Sequence, residues 1–295
     1  MKTIIRILIA TVLSAAAPAG AQSGAAWLGY SSSGANLAEA GGLGVMAQGA
    51  DSMGLNPAGL AGLAGDGAVQ ASYAQWPGEI NVQTGQAAMR TGVGVVGVQA
   101  SWIDFGNINA YSVDPVNGVQ QTGSMHPNAS DFGLALGSQV GRLALGLSAH
   151  VVTEDLVGQG SSSTPAVDAG ARMDVLPSMT AAVSLINAGG SVDGAALPTA
   201  LRTGLSLRSP RGDGWELGVE ASTPMAGGQA DLLSALRYHV AAPLTLRGGW
   251  IQGQGIAGAW SLGASFQLGV LGLDYGFRQI QGFNPINHLT VRMMW

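Results

Sequence analysis

The chain has 295 residues, seventeen acids against twelve bases, 47 glycines and no cysteine, and only 10% of it is charged. An acidic chain whose single lysine is Lys2 excludes electrostatic capture of nucleic acid. The missing cysteines exclude a disulfide-stapled scaffold, and the low charge, against roughly 25% in a soluble domain, points towards lipid.

Lys2 and Arg6 precede an apolar run, Ile7 to Leu13, and small residues end in Ala19-Gly20-Ala21 before Gln22. This three-part layout predicts a secretory signal peptide over 1–21, cut after Ala21. Removing it leaves ten bases, all arginine, against seventeen acids. No later apolar run approaches the roughly 20 residues of a membrane helix. An exported, charge-poor chain without such a helix leaves the β-barrel as its membrane architecture.

Residues 22–65 read as a short amino-terminal hatch. Asp51 leads to Asn56-Pro57-Ala58-Gly59, a helix entrance. Asn caps free backbone N–H groups, and Pro is tolerated at the first helical position because its missing donor was unsatisfied anyway. A helical turn inside an otherwise all-β chain needs something to pack against.

From 66 to 295 the chain breaks into period-2 segments of roughly ten residues, the pattern of barrel strands. Fourteen are predicted: 67–75, 80–90, 92–104, 130–138, 141–153, 166–173, 178–187, 200–208, 214–222, 230–239, 243–252, 258–268, 270–279 and 287–295. In the fifth, Leu143, Leu145, Leu147, Ala149 and Val151 share one face. Arg142, Ala144, Gly146, Ser148 and His150 share the other. Turn signals separate the segments at Gly158-Gln159-Gly160, Ala188-Gly189-Gly190, Arg211-Gly212-Asp213-Gly214 and Gln254-Gly255. Gly106 to Ala129, with Pro115, Asn117-Gly118 and Pro127, reads as a long outer loop. Trp295 closes the last segment as a terminal residue for membrane insertion. The seven tryptophans, Trp27, Trp76, Trp102, Trp215, Trp250, Trp260 and Trp295, fall mostly near segment ends, as an interfacial girdle would.

Mid-strand charges fall on the small-residue face, which predicts a polar lumen inside an apolar exterior. Arg142, Asp168, Arg172, Arg202, Glu216, Glu220, Arg237, Arg247, Asp274, Arg278 and Arg292 are expected to pair there as one network. A ligand or cargo track is the second reading of the same residues. Ser148 and His150 share a face, but nothing marks the third partner a hydrolase needs. The four histidines are scattered without metal-ligand spacing. The reading is non-enzymatic, with no metal and no cofactor.

Several motifs run in one order along the chain: Gly41-Gly42-Leu43-Gly44, Ala50-Asp51, Asn56-Pro57-Ala58-Gly59-Leu60, Ser101-Trp102-Ile103-Asp104-Phe105-Gly106 and Ala166-Val167-Asp168-Ala169-Gly170-Ala171. Leu185-Ile186-Asn187-Ala188-Gly189, Arg247-Gly248-Gly249-Trp250, Leu273-Asp274-Tyr275-Gly276 and His288 follow. Together they resemble the PorV/PorQ group of FadL-like outer-membrane proteins, although Leu55 stands where many members carry Trp. The resemblance implies an all-β, 14-stranded antiparallel transmembrane barrel with an amino-terminal hatch in its lumen. It also implies a place in the bacterial outer membrane. The function it suggests is protein secretion or surface attachment, with secretion-machinery subunits or a cargo protein as partners. The alternative is FadL-like transport of a hydrophobic small molecule. Outer-membrane lipid is a partner in both readings, and nucleic acid in neither.

Overall fold

The computed structural model describes residues 23–114, 118–156, 160–210, 214–253 and 259–295. The signal-like residues 1–21 and the Arg211-Gly212-Asp213 turn lie outside them. Fourteen strands form one closed antiparallel barrel. They are β1 Gly67–Trp76, β2 Ile80–Thr91, β3 Gly94–Asp104, β4 Asn128–Val140, β5 Leu143–Asp155, β6 Ser162–Leu176 and β7 Met179–Gly189. The remaining seven are β8 Ala200–Arg208, β9 Trp215–Pro224, β10 Asp231–Ala241, β11 Leu244–Gln252, β12 Ala259–Leu268, β13 Leu271–Gln279 and β14 Ile286–Met294. β14 pairs with β1 from Ala68↔Met294 to Gln75↔Asn287, so the barrel itself has no open edge strand. Each predicted segment falls on one strand, with ends displaced by a few residues where the alternation fades before the pairing does.

One expectation needs correction. The stretch read as a long loop contains a hairpin, Ile108–Asp114 with Gly118–Met125, paired apart from the barrel. Gly118, the first residue of the second strand, has a positive φ (76°), as glycines at hairpin turns do. A second small hairpin, Ser191–Val192 with Ala195–Ala196, lies between β7 and β8.

The two ends of the barrel differ. At the end carrying Gly67 and Trp295, two residues join β2 to β3, β4 to β5, β6 to β7, β10 to β11 and β12 to β13. Longer connections gather at the other end, here the loop end, as outer-membrane barrels place them outside. Alternation sorts the side chains. Leu145, Leu147, Phe132, Leu134, Val219 and Leu273 are exposed on the outer face, where each would cost free energy against water and none against lipid. Trp102, Trp250 and Trp260 sit outside towards the loop end, and Trp215 and Trp295 at the terminal end. Trp27 is not part of that girdle. It is buried, and its Nε1 donates to Glu154 Oε1 at 2.6 Å. Trp76 is half-buried and stacks on Tyr30 at 3.9 Å between ring centroids.

Residues 23–65 run down the lumen from the loop end to β1. Three short 3-10 turns, Ala26–Gly29, Gly49–Ser52 and Pro57–Gly62, and one helix, α1 Gly34–Ala38, make up the segment. Ser33 caps α1 by accepting from Asn36 N at 3.2 Å. The core lies between this segment and the wall. Leu60 and Leu63 pack on Ala68, Ala88 and Val95, whereas Leu43, Val45 and Met46 pack on Leu233 and Ala235. Below them Trp295 closes the seam: its carbonyl accepts from Asp66 N at 2.6 Å and Gly67 N at 3.1 Å.

Candidate functional site

The hatch is seated by hydrogen bonds and by missing side chains. Asn56 Oδ1 accepts from Ala58 N at 3.1 Å, capping the Pro57–Gly62 turn. Its Nδ2 donates to the wall carbonyls of Ala171 and Val183, at 3.3 and 3.4 Å. Facing this turn, Gly137, Gly146 and Gly170 stand in register on β4, β5 and β6. A Cβ on Gly170 would overlap Asn56 Oδ1, one on Gly146 would overlap Pro57, and one on Gly137 would reach Leu60 Cβ at 2.7 Å. The three glycines form a smooth track. A second one, Gly263 and Gly276 on β12 and β13, receives Ala38 and Gly34.

A ladder of side chains crosses the inner wall from β1 to β6. Asp51 Oδ1 of the hatch accepts from Gln70 Nε2 at 2.9 Å. Gln70 donates to Gln86 (2.5 Å), Gln86 to Gln99 (2.6 Å) and Gln99 to Asp131 (3.3 Å). Asp131 Oδ1 meets His150 Nδ1 at 2.6 Å, and His150 Nε2 faces Asp168 Oδ1 at 3.5 Å. Asp168 also accepts from Ser148 Oγ and from Asn187 N, the latter at 2.6 Å, where β7 bulges against β6. The structure thus supplies carboxylates for His150, yet the Ser148 hydroxyl is committed to Asp168, so the serine is not placed to pass its proton to the imidazole. The glutamines escaped sequence reasoning. Their signal is one amide at the centre of each of three successive inward faces.

The opposite wall carries ion pairs. Arg202 meets Glu220 at 2.6 Å and donates to Gly42 O at 2.6 Å, while Glu220 Oε2 accepts from Val45 N at 3.0 Å. Arg237 bonds Glu216 at 3.1 Å, and Arg292 meets Asp274 at 3.2 Å. Between Arg237 and Arg247 lies Glu39 of the hatch. Its two oxygens accept from Arg237 at 2.8 and 2.9 Å, and Oε1 also accepts from Arg247. Burial alone would raise the Glu39 carboxyl, but the two guanidiniums override it and hold it at about 2. Glu39 was missed in the sequence because it stands alone among small residues, with no periodic partner.

The eleven lumen charges therefore do not form one network. They divide into the ladder end at Asp168, the Arg202–Glu220 pair, the Glu216–Arg237–Glu39–Arg247 arc and the Arg292–Asp274 pair. Arg172 donates to Ala47 O at 3.2 Å. Arg142 and Arg278 have no carboxylate partner among the described residues. Register is the reason. Partners must sit on adjacent strands at one height, and the hatch interposes its own groups.

Cavities remain above and below the hatch. One of about 390 Å³ opens at the loop end between the hatch and the wall, lined among others by Leu28, Tyr30, Leu55, Ile186, Leu233 and Arg278. A polar one of about 210 Å³ lies at the terminal end, between Arg142, Arg172, Arg208 and Asp174.

A closed ladder, an apolar exterior, a polar lumen and an internal amino-terminal segment define a class, the hatch-bearing β-barrel of the outer-membrane type. Among solved structures the chain is similar to the CymD monoaromatic hydrocarbon channel, with a TM-score of 0.62 and 10% identity over 90% of this chain and 98% of that one. It is similar to the Pseudomonas putida toluene transporter TodX, at 0.59 and 12% over 90% and 96%. The Acinetobacter baumannii outer membrane protein Omp33 follows at 0.50 and 12% over 79% and 100%. No protein-family model and no curated protein matches the chain. At such identities the likeness establishes the fold alone, a closed outer-membrane-type β-barrel, and nothing in it singles out the PorV/PorQ branch.

Proposed function

We propose that the protein is a non-enzymatic channel of the bacterial outer membrane that admits small hydrophobic molecules through its loop end. One observation carries this reading. The cavity of about 390 Å³ faces the loop end, carries an apolar side of Leu28, Leu55, Ile186, Leu233 and Ile251 among polar residues, and ends on a hatch segment. Its size falls within the roughly 300–1,000 Å³ of small-molecule sites. The likeness to channels whose names specify monoaromatic hydrocarbon and toluene supports it. Residues 1–21 serve as a cleaved export signal, 22–65 as the hatch and 66–295 as the membrane-spanning barrel. Trp295 serves as its insertion end.

The test is uptake of radiolabelled toluene by cells with an intact lipopolysaccharide outer membrane. Cells making the protein are expected to accumulate toluene faster than cells lacking it. Equal rates, with secretion subunits or a cargo protein copurifying instead, would turn the reading to protein secretion. A mature amino terminus other than Gln22 would overturn the proposed signal cleavage.

A further inference from the structure

We infer that the loop-end cavity recognises a compact organic anion, one carboxylate on a small apolar body, and that Arg278 meets the carboxylate. The inference rests on the channel reading above and names a ligand class which that reading leaves open.

Arg278 points inward near the loop end of β13 and lines the cavity while only 4% exposed. Its Nε and Nη2 are buried with no hydrogen-bond partner, and among the described residues no carboxylate pairs with it. This sets it apart from the other buried arginines of the lumen. Arg202, Arg237, Arg247 and Arg292 each hold a carboxylate, and Arg172 holds a carbonyl. Asp274, on the same face of β13, is engaged by Arg292. His288, buried on β14, has no partner on either ring nitrogen and offers no negative charge.

The surroundings are shaped for the guanidinium and not for its neutralisation. Gly41 lies against it with φ +92°, and a Cβ there would stand 2.8 Å from Nη2 and 3.6 Å from Ser31 Oγ. Ser31 Oγ is itself buried without a partner, a second donor beside the first. A buried charge without a counter-charge is costly, and folds retain one where a ligand supplies the opposite sign. A guanidinium suits a carboxylate better than a neutral group of the same shape.

The other charges on the cavity do not compete. Arg202 is neutralised by Glu220, and Asp231, the first residue of β10, has an interaction of its own. Leu28, Leu55, Ile186, Leu233 and Ile251 supply the apolar wall for the body of the ligand.

Equilibrium dialysis of the detergent-solubilised protein tests this, with protein-free micelles subtracted and radiolabelled benzoate, benzamide and toluene as probes. Wild type is expected to bind benzoate at least about tenfold more tightly than its neutral isostere benzamide, the scale of hydrogen bonds to a charged group. Arg278→Gln should abolish that preference, and Arg278→Lys should keep part of it. Equal affinity of wild type for benzoate and benzamide, with toluene still bound, would overturn the inference and spare the channel reading. Failure of all three probes would sink both. Displacement of benzoate by laurate at lower concentration than by unlabelled benzoate would overturn the compact ligand. Should Arg278→Gln lose the folded gel mobility, the benzoate-to-benzamide ratio of wild type decides alone.

Discussion

Arg237 on β10 and Arg247 on β11 are register partners, two like charges set directly opposite one another on the inner wall. Like charges in that relation destabilise a sheet. The Glu39 carboxylate, contributed by the hatch, sits between them and bonds both. The barrel therefore carries a charge conflict that is resolved when the hatch is seated.

Replacing Glu39 by Gln keeps the shape and removes the charge, leaving two buried guanidiniums with Glu216 alone to balance them. Breaking a buried pair from one side costs about 3–5 kcal/mol. The Glu39→Gln barrel should lose its folded gel mobility at a markedly lower temperature than wild type. Adding Arg247→Gln should recover part of the loss, and an additive double variant would show that Glu39 and Arg247 do not interact.

The same carboxylate gives a pH dependence of known sign. Its value in the folded protein, about 2, lies below its ordinary value of 4.5. The stabilisation is therefore complete above pH 4.5 and is lost as the pH falls towards 2, an effect of about 3 kcal/mol. Protease cleavage within the hatch should rise across that window in wild type. Glu39→Gln should lack this component, and an identical pH profile in the two proteins would refute the assignment.

Gly170→Ala puts a methyl group where Asn56 Oδ1 lies. Overpacking of this kind costs typically about 1–3 kcal/mol. Gly85→Ala, on a lipid-facing position of β2 with nothing within 4 Å, should leave the melting temperature unchanged. Equal melting of the two variants would contradict the close seating of the hatch on β6.

Asn56→Ala removes the cap on Ala58 N and both wall bonds at once. Cap loss alone costs about 1 kcal/mol. Hydrogen exchange at the Ala58 to Leu63 amides should speed up in this variant while the β-strand amides stay protected. Uniform acceleration over the barrel would mean that hatch and wall unfold as one unit.

Leu147 is 65% exposed on the outer face of β5, where lipid is its solvent. Leu147→Arg should reduce assembly, since a charge near the bilayer midplane costs about 2–4 kcal/mol. Val119→Arg, on the hairpin apart from the barrel, should assemble normally. Normal assembly of both would count against a membrane-spanning wall.

Strand number, strand faces and the hatch entrance at Asn56-Pro57 were legible in the sequence, because each is written locally. Period-2 alternation needs only neighbours, and a cap needs only three residues. The segment around Val113 and Val119 was misread as loop because its alternation is short and turn residues surround it. What the tertiary structure alone decided is which inward group meets which. Glu39 reaches Arg237 across 198 residues, and Gln70, Gln86 and Gln99 join Asp51 to Asp131 only in the observed register. Arg278 looks in the sequence like the other lumen arginines. Among the described residues it has no carboxylate partner, while Asp274 on the same face meets Arg292 and the hatch packs Gly41 against its Nη2, and no local pattern encodes either.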